Sequence, residues 1–309
     1  MASDRWSQWL AETRFGGDSK TADMLLRRLT LVRDHLLRNA GLEEGKVVLD
    51  VGAGEGLIGF GALELVGTTG RVIFSEISEA LLDFDRLAAE QMGVFDRCSF
   101  VKAAAEELSA IESEFVDLVT ARSVLIYVDD KPKALREFFR VLKPGGRVAL
   151  FEPIDDQRMS EFSEYWGRRA WVADPDSEEA APVRDLLERL ATHWETRYRH
   201  VNTAMLNFNE RDLVQMCVAA GFAGVRTELH LNVAPVPAMN WGALMRSSGN
   251  PLIPTNGEVI DEVFSVEERE RFEKHLRPIV ERGGRPWRTQ SSFTWAAKAP
   301  VPEGFWPYK

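Results

Sequence analysis

Gly52, Gly54 and Gly56 stand at alternate positions directly after the apolar run Val47–Val51, and Asp50 lies two residues before the first of them. Glycine has no Cβ, so the backbone can turn tightly here and a ligand can lie against it. A helical pattern begins at Leu57, and the first N–H groups of any helix lack partners within it. A buried strand, a glycine loop and a helix N-terminus together make a nucleotide-type pocket. The dinucleotide form of that pocket needs glycines in a G-x-G-x-x-G register. Leu57 occupies the place of the third glycine, which makes a nicotinamide dehydrogenase the weaker reading.

Such a loop works only when a sheet holds it, and the flanking sequence supplies one. From about Lys46 to Pro153 strand and helix signals alternate. Strands are expected at Val47–Val51, Arg71–Ser75, Ser99–Lys102, Val116–Ala121 and Arg147–Glu152. Ser78 is placed to cap one intervening helix, and Asp130 with Pro132 opens another whose Leu135, Phe138, Phe139 and Leu142 share a face. Strands joined by helical crossovers imply a mostly parallel sheet covered on both faces. Upstream, Leu25, Leu29, Val32 and Leu36 recur at helical spacing. Downstream, Asn209 reads as an N-cap, Val225–Leu231 as a sixth strand, Ser265 with Glu268 as a capping box and Ser292–Ala297 as a last strand. Val233–Gly257 is rich in Pro, Gly and Asn and reads as loop.

The fold expected is α/β: a doubly wound, mostly parallel seven-stranded Rossmann-like sheet with a helical N-terminal cap and two cap insertions. The cap covers residues 1–40, the cofactor-binding core 41–153, and the first, substrate-cap insertion 154–208. The core resumes over 209–232, a second insertion fills 233–290, and the last strand and tail take 291–309. Insertions of that length in a compact domain usually serve as lids or interaction surfaces.

The composition, 45% hydrophobic and 28% charged over 309 residues, is that of a globular protein. The net charge of -10, with no basic stripe, argues against nucleic acid as a partner. Cys98 and Cys217 are the only cysteines and neither has metal-site spacing, so no metal is expected. No apolar run reaches membrane-span length and the N-terminus shows no leader pattern. A cytoplasmic address with no membrane partner is the default expectation.

Leu49–Gly56, the acidic Glu76 closing the second strand, the Val141–Arg147 turn with its Pro144-Gly145-Gly146, and Ala220-Gly221-Phe222 before the sixth strand together resemble class I S-adenosylmethionine-dependent methyltransferases. The resemblance is strong over Lys46–Pro153, weak over the last two strands, and absent from the N-terminal helices and insertions. It implies S-adenosyl-L-methionine as cofactor and a methyl transfer as the reaction. It places Gly52, Ala53 and Gly54 beside the methionine part, with Asp50 facing its amino group directly or through water. Glu76 would accept hydrogen bonds from both ribose hydroxyls, and Ile77 would pack on the adenine. The family usually carries an acidic residue where Ala104 stands, so Ala105 and Glu106 would serve the adenine there instead. Arg122 would close the methionine end.

Methyl transfer demands mainly orientation and exclusion of water, and orientation alone is worth roughly 7–11 kcal/mol in favourable cases. A general base adds typically about 10²–10⁴-fold where the acceptor carries a proton. Glu152, Tyr127 and His200 are the candidate catalytic residues; Glu152 ends a strand that lines the pocket, though it could equally bond backbone amides. Arg14, Phe15 and His193 are further candidates for the substrate side. Trp6, Trp9, Trp166, Trp171, Trp194, Trp241 and Trp287 crowd the cap and insertions. They point to a small, partly apolar acceptor accepting at O, N or C, plausible in specialised metabolism, or simply to rings that pack the cap. Two alternatives stay open: a methyltransferase-fold protein that binds S-adenosylmethionine but catalyses a non-methylating reaction, and a protein methyltransferase. A homodimer is also open, because terminal helices often make such contacts.

Overall fold

The structure is a computed structural model and describes residues 4–154, 178, 180–198, 203–284 and 286–301. Its strands are β1 (Val47–Val51), β2 (Arg71–Glu76), β3 (Cys98–Lys102), β4 (Val116–Arg122), β5 (Leu142–Pro153), β6 (Ala223–Pro235) and β7 (Pro286–Ala297). They form one seven-stranded sheet in the order β3-β2-β1-β4-β5-β7-β6. The first five strands run parallel, and β7 is antiparallel to both β5 and β6. The order reverses between β1 and β4, so the cleft at the carboxyl ends of these two strands is the place where such sheets bind ligands.

The helices are α1 (Arg5–Gln8), continued by one π-turn over Trp9–Thr13, then α2 (Ser19–Arg38), α3 (Leu57–Leu65), α4 (Glu79–Gln91) and α5 (Lys131–Val141). After the core come α6 (Arg184–Tyr198), α7 (Thr203–Leu206), α8 (Glu210–Ala219), α9 (Trp241–Arg246), α10 (Asn256–Val263) and α11 (Val266–Arg282). The expected caps are in place. The Ser78 hydroxyl accepts from Leu81 N–H, Asp130 from Lys133 N–H, and both Asn209–Asp212 and Ser265–Glu268 close as capping boxes. One short helix, α9, lies within the stretch that reads as loop, and a second, α10, begins at its last two residues. They are too short to show periodicity, and side-chain caps from Asn240 and Thr255 define their starts. β6 and β7 also run several residues longer than the hydrophobic pattern indicates, paired out to Pro235 and Pro286.

Apolar side chains from both faces of the sheet bury the core. One cluster joins Leu49, Val119 and Leu150 to Leu135 and Phe138 of α5; the other joins Val48, Phe74 and Trp295 to Ile58 of α3 and Leu36 of α2. A separate core holds Leu186, Leu190 and Trp194 of α6 against Trp241, Ile260, Phe272 and Leu276. The two insertions, far apart in sequence, thus share one interior.

Candidate active site at the carboxyl ends of β1, β2 and β4

Gly52, Gly54 and Gly56 all adopt left-handed φ, at 63, 63 and 71°. A Cβ on Gly52 would stand 2.5 Å from Val124 Cγ2, so that glycine is required both by its φ and by the close approach of the turn after β4. Above Gly54 the nearest atoms to a built Cβ are Leu10 Cδ1 at 3.8 Å and a backbone oxygen at 4.0 Å. The loop therefore keeps room on its outer side, and its roof is the N-terminal segment.

Glu76 ends β2 with its side chain buried against this loop. Its Oε2 accepts from Gly54 N–H at 3.0 Å, and its Oε1 accepts from Ile77 N–H at 2.8 Å and Ser78 N–H at 3.1 Å. Burial raises its pKa, against the pull of these amides. Ile77 follows with its side chain 43% exposed, an apolar plate beside the carboxylate. The turn after β3 is tied to the same place, because Ala103 N–H donates to Glu76 O at 3.1 Å. Ala104 pairs with Glu107, Ala105 is buried and Glu106 is half-buried.

Asp50 is buried under the loop. Its Oδ2 accepts from Gly59 N–H at 2.9 Å and its Oδ1 from the Thr120 hydroxyl at 2.8 Å. It thus satisfies an unpaired amide in the first turn of α3, where the N-cap is Gly56 and offers no side chain. Burial pushes its carboxyl up to about 7. Asp85 of α4 lies beside it and is a residue the sequence reading missed. It is fully buried, its Oδ1 would be 2.8 Å from a Cβ on Gly56, and neither oxygen has a partner among the described residues. Burial and then the charge of Asp50 push its pKa up to about 8.

Glu152 stands one residue before the end of β5, fully buried. Its carboxylate accepts from the N–H groups of Val124, Leu125 and Ile126 at 3.1, 2.9 and 3.3 Å. It holds the turn that carries Tyr127, and burial pushes its pKa up to about 7. The Tyr127 ring meets Trp6 edge-on at 5.0 Å, and burial raises its hydroxyl to about 12. Arg122 ends β4; burial lowers its pKa. Arg14 lies over the rings of Trp9 and Phe15 at 5.1 and 5.2 Å, and burial, then the charge of Arg122, lowers it to about 10. His200 lies outside the described residues, as do Trp166 and Trp171. His193 is bonded to Glu262 at 2.9 Å within the cap. Trp194 and Trp241 are core residues of that cap.

The N-terminal segment is fastened at both ends. The Ser78 hydroxyl donates to Asp4 Oδ2 at 2.6 Å, which joins the start of α1 to the loop after β2. Trp9 Nε1 donates to Ser248 O at 2.8 Å, Ser248 N–H to Thr13 O at 2.8 Å, and Arg246 Nε to Gly16 O at 3.1 Å. The segment thus closes the cleft between the sheet and the second insertion.

This sheet order, with a glycine loop after β1 and a buried acid closing β2, defines a class I S-adenosylmethionine-dependent methyltransferase fold. The chain belongs to the ubiE/COQ5 methyltransferase family, whose model matches residues 18–239. The methyl donor of this family is S-adenosylmethionine. Over 129 residues the chain is 39% identical to a ubiquinone/menaquinone biosynthesis C-methyltransferase of Escherichia coli strain K12, and equally to one of Shigella boydii. Each match takes in 41% of this chain and 51% of the relative, so the chain spans about half the length of the curated relatives it matches. Among solved structures, a putative methyltransferase from Bacillus halodurans superposes with a TM-score of 0.53 at 17% identity, covering 86% of this chain and 98% of that one. The YcgJ protein of Bacillus subtilis gives 0.51 at 15%, covering 86% and 97%. These two similarities concern the fold.

Proposed function

We propose that this protein transfers the methyl group of S-adenosylmethionine to a carbon atom of a small, partly apolar acceptor of the quinol class. The observation that carries the donor half is the Glu76 carboxylate, buried at the end of β2 and bonded to the loop amide of Gly54. The residues present fit the donor: the loop has the left-handed glycines and the open outer side that a close-lying ligand needs. The acceptor half draws on the relatives, which are named as C-methyltransferases of quinone biosynthesis. It also fits a cleft roofed by Trp6, Leu10 and Trp9.

Gly52, Ala53 and Gly54 would lie along the methionine part and Glu76 would take the ribose hydroxyls, with Ile77 against the adenine. Ala104, Ala105 and Glu106 would edge the adenine from the turn after β3. When bound, the donor supplies an electrophilic methyl group next to a sulfonium. The chain's own work is to orient and to exclude water. Asp50 acts through α3, whose first turn it fixes, and thereby sets the loop. Glu152 is a positioning residue that fixes the 124–127 turn through three backbone amides. Tyr127, held protonated by burial, would donate a hydrogen bond to the acceptor and would not serve as a base at neutral pH. Arg14 and Arg122 supply positive charge that favours an ionised, and therefore more nucleophilic, hydroxylated ring.

The test is twofold. Calorimetric titration should show S-adenosylmethionine binding, with Glu76→Ala weakening it at least about tenfold, as loss of a charged hydrogen-bond partner implies. Incubation with methyl-labelled donor and a demethylated short-chain quinol should yield labelled quinol and S-adenosylhomocysteine. No binding by the native chain would sink the donor half. Binding with label transferred only to other acceptors would overturn the quinol half.

A further inference from the structure

On the face of the sheet covered by α2, three metal-ligating side chains converge. His35 of α2 and Glu228 and His230 of β6 place one donor atom each within 4.8 Å of the others. Glu228 and His230 are two apart on a strand, hence on one face. His35 Nε2 is 2.7 Å from Glu228 Oε2, and His230 Nε2 is 3.5 Å from the same oxygen. The other carboxylate oxygen, Oε1, is bonded by the Arg226 guanidinium. One oxygen is thus held in place by a cation, and the second faces two imidazole nitrogens. Outer partners that orient a ligating carboxylate are the usual companions of a metal site.

The rings are also held. His35 packs edge-on against Phe293 at 4.7 Å and Trp295 at 5.7 Å, and His230 lies 4.8 Å from Phe293. The His35 and His230 centroids are 5.3 Å apart. All three side chains are part-exposed, at 31, 24 and 41%, which lets a water complete a coordination shell.

We infer that His35, Glu228 and His230 form a binding site for a borderline divalent cation of the zinc type, with water as a fourth ligand. Two imidazoles and one carboxylate are a nitrogen-rich set that suits zinc and not calcium or magnesium, which want oxygen. Bonds of about 2.0–2.2 Å in a tetrahedron bring donors to roughly 3.3 Å from one another. Reaching that spacing asks the His35–Glu228 pair to open from 2.7 Å and leaves the His230–Glu228 pair near its 3.5 Å, adjustments that side-chain rotation on a half-open surface allows. The His35 ring would give up its Nε2 proton, or carry it on Nδ1, and Arg226 would stay on Oε1. Because His35 and Glu228 are 193 residues apart, an ion here would tie α2, within the N-terminal cap, to the edge strand of the sheet. Its role is a staple between cap and sheet.

The experiment uses the full chain without a histidine tag, stripped with a chelator. Zinc titrated by calorimetry should bind at one equivalent, and cobalt should give a visible absorption band typical of nitrogen and oxygen ligation. The melting temperature should rise with zinc. The double variant His35→Ala/His230→Ala should keep the S-adenosylmethionine affinity of the parent, weaken zinc binding at least tenfold, and lose both the cobalt band and the zinc-dependent rise in melting temperature. Absence of zinc binding by the folded parent would overturn the site. So would zinc affinity and a cobalt spectrum unchanged in the double variant, which would assign the metal to other residues.

Discussion

At the residue scale the cleft is unusual for its buried carboxyl groups. Asp50, Glu152 and Asp85 all have raised pKa values, about 7, 7 and 8, with burial as the first cause. Two of them offset that burial by accepting backbone hydrogen bonds, whereas Asp85 does not. A carboxyl with a folded pKa above its unfolded value binds its proton more tightly in the folded chain. Its contribution favours folding at acid pH and is lost as pH rises from about 4 through about 8. Replacing Asp85 by Asn removes that proton linkage at nearly constant shape. Denaturant melts at a series of pH values should show that Asp85→Asn loses less stability between pH 5 and pH 9 than the parent. Equal slopes for the two proteins would show that Asp85 does not titrate in this range.

At the scale of elements, the decisive arrangement is the N-terminal segment as a roof over the glycine loop. Asp4 has two jobs there: it caps α1 by accepting from Trp6 and Ser7 N–H, and it accepts the Ser78 hydroxyl. Loss of an N-cap typically costs about 1 kcal/mol, and a hydrogen bond to a charged group about 1.5–3 kcal/mol. Asp4→Ala should therefore loosen the roof while the sheet stays folded. Stopped-flow measurement should find S-adenosylmethionine leaving several-fold faster, with circular dichroism and the bulk melting transition near those of the parent. An unchanged off-rate would mean that the roof does not govern access. The same scale explains Glu152, whose three amide contacts turn a strand-end acid into the anchor of the turn that presents Tyr127.

For the whole molecule, the two insertions behave as one body because they share Trp194, Trp241, Ile260 and Phe272 in a single interior. Trp194→Ala opens a large cavity there, and such changes cost about 3–5 kcal/mol. The expected result is rapid proteolysis within the cap and lost turnover of the acceptor, with S-adenosylmethionine affinity retained by the core. A parallel loss of donor affinity would show that cap and core fold as one cooperative unit. Among the described residues no helix is long and apolar enough to cross a membrane.

Much of this was written locally and could be read from the chain. The glycine register, the acid at the end of β2, the alternation of strands and helices, and the Ser78, Asn209 and Ser265 caps depend on neighbours a few residues apart, so their spacing shows them. Short capped helices such as α9 were hidden, since six residues carry too little periodicity to separate helix from loop. The sequence by itself determined the glycine loop after β1 and the family to which the chain belongs. Only tertiary structure decided that Asp85 lies under that loop with no partner among the described residues, that Glu152 spends its oxygens on a turn, and that the insertions share a core. It also decided the roof, where Trp9 and Ser248 meet across 239 residues. Contacts of that span are set by how the sheet and its insertions pack, and no local pattern of residue types encodes them.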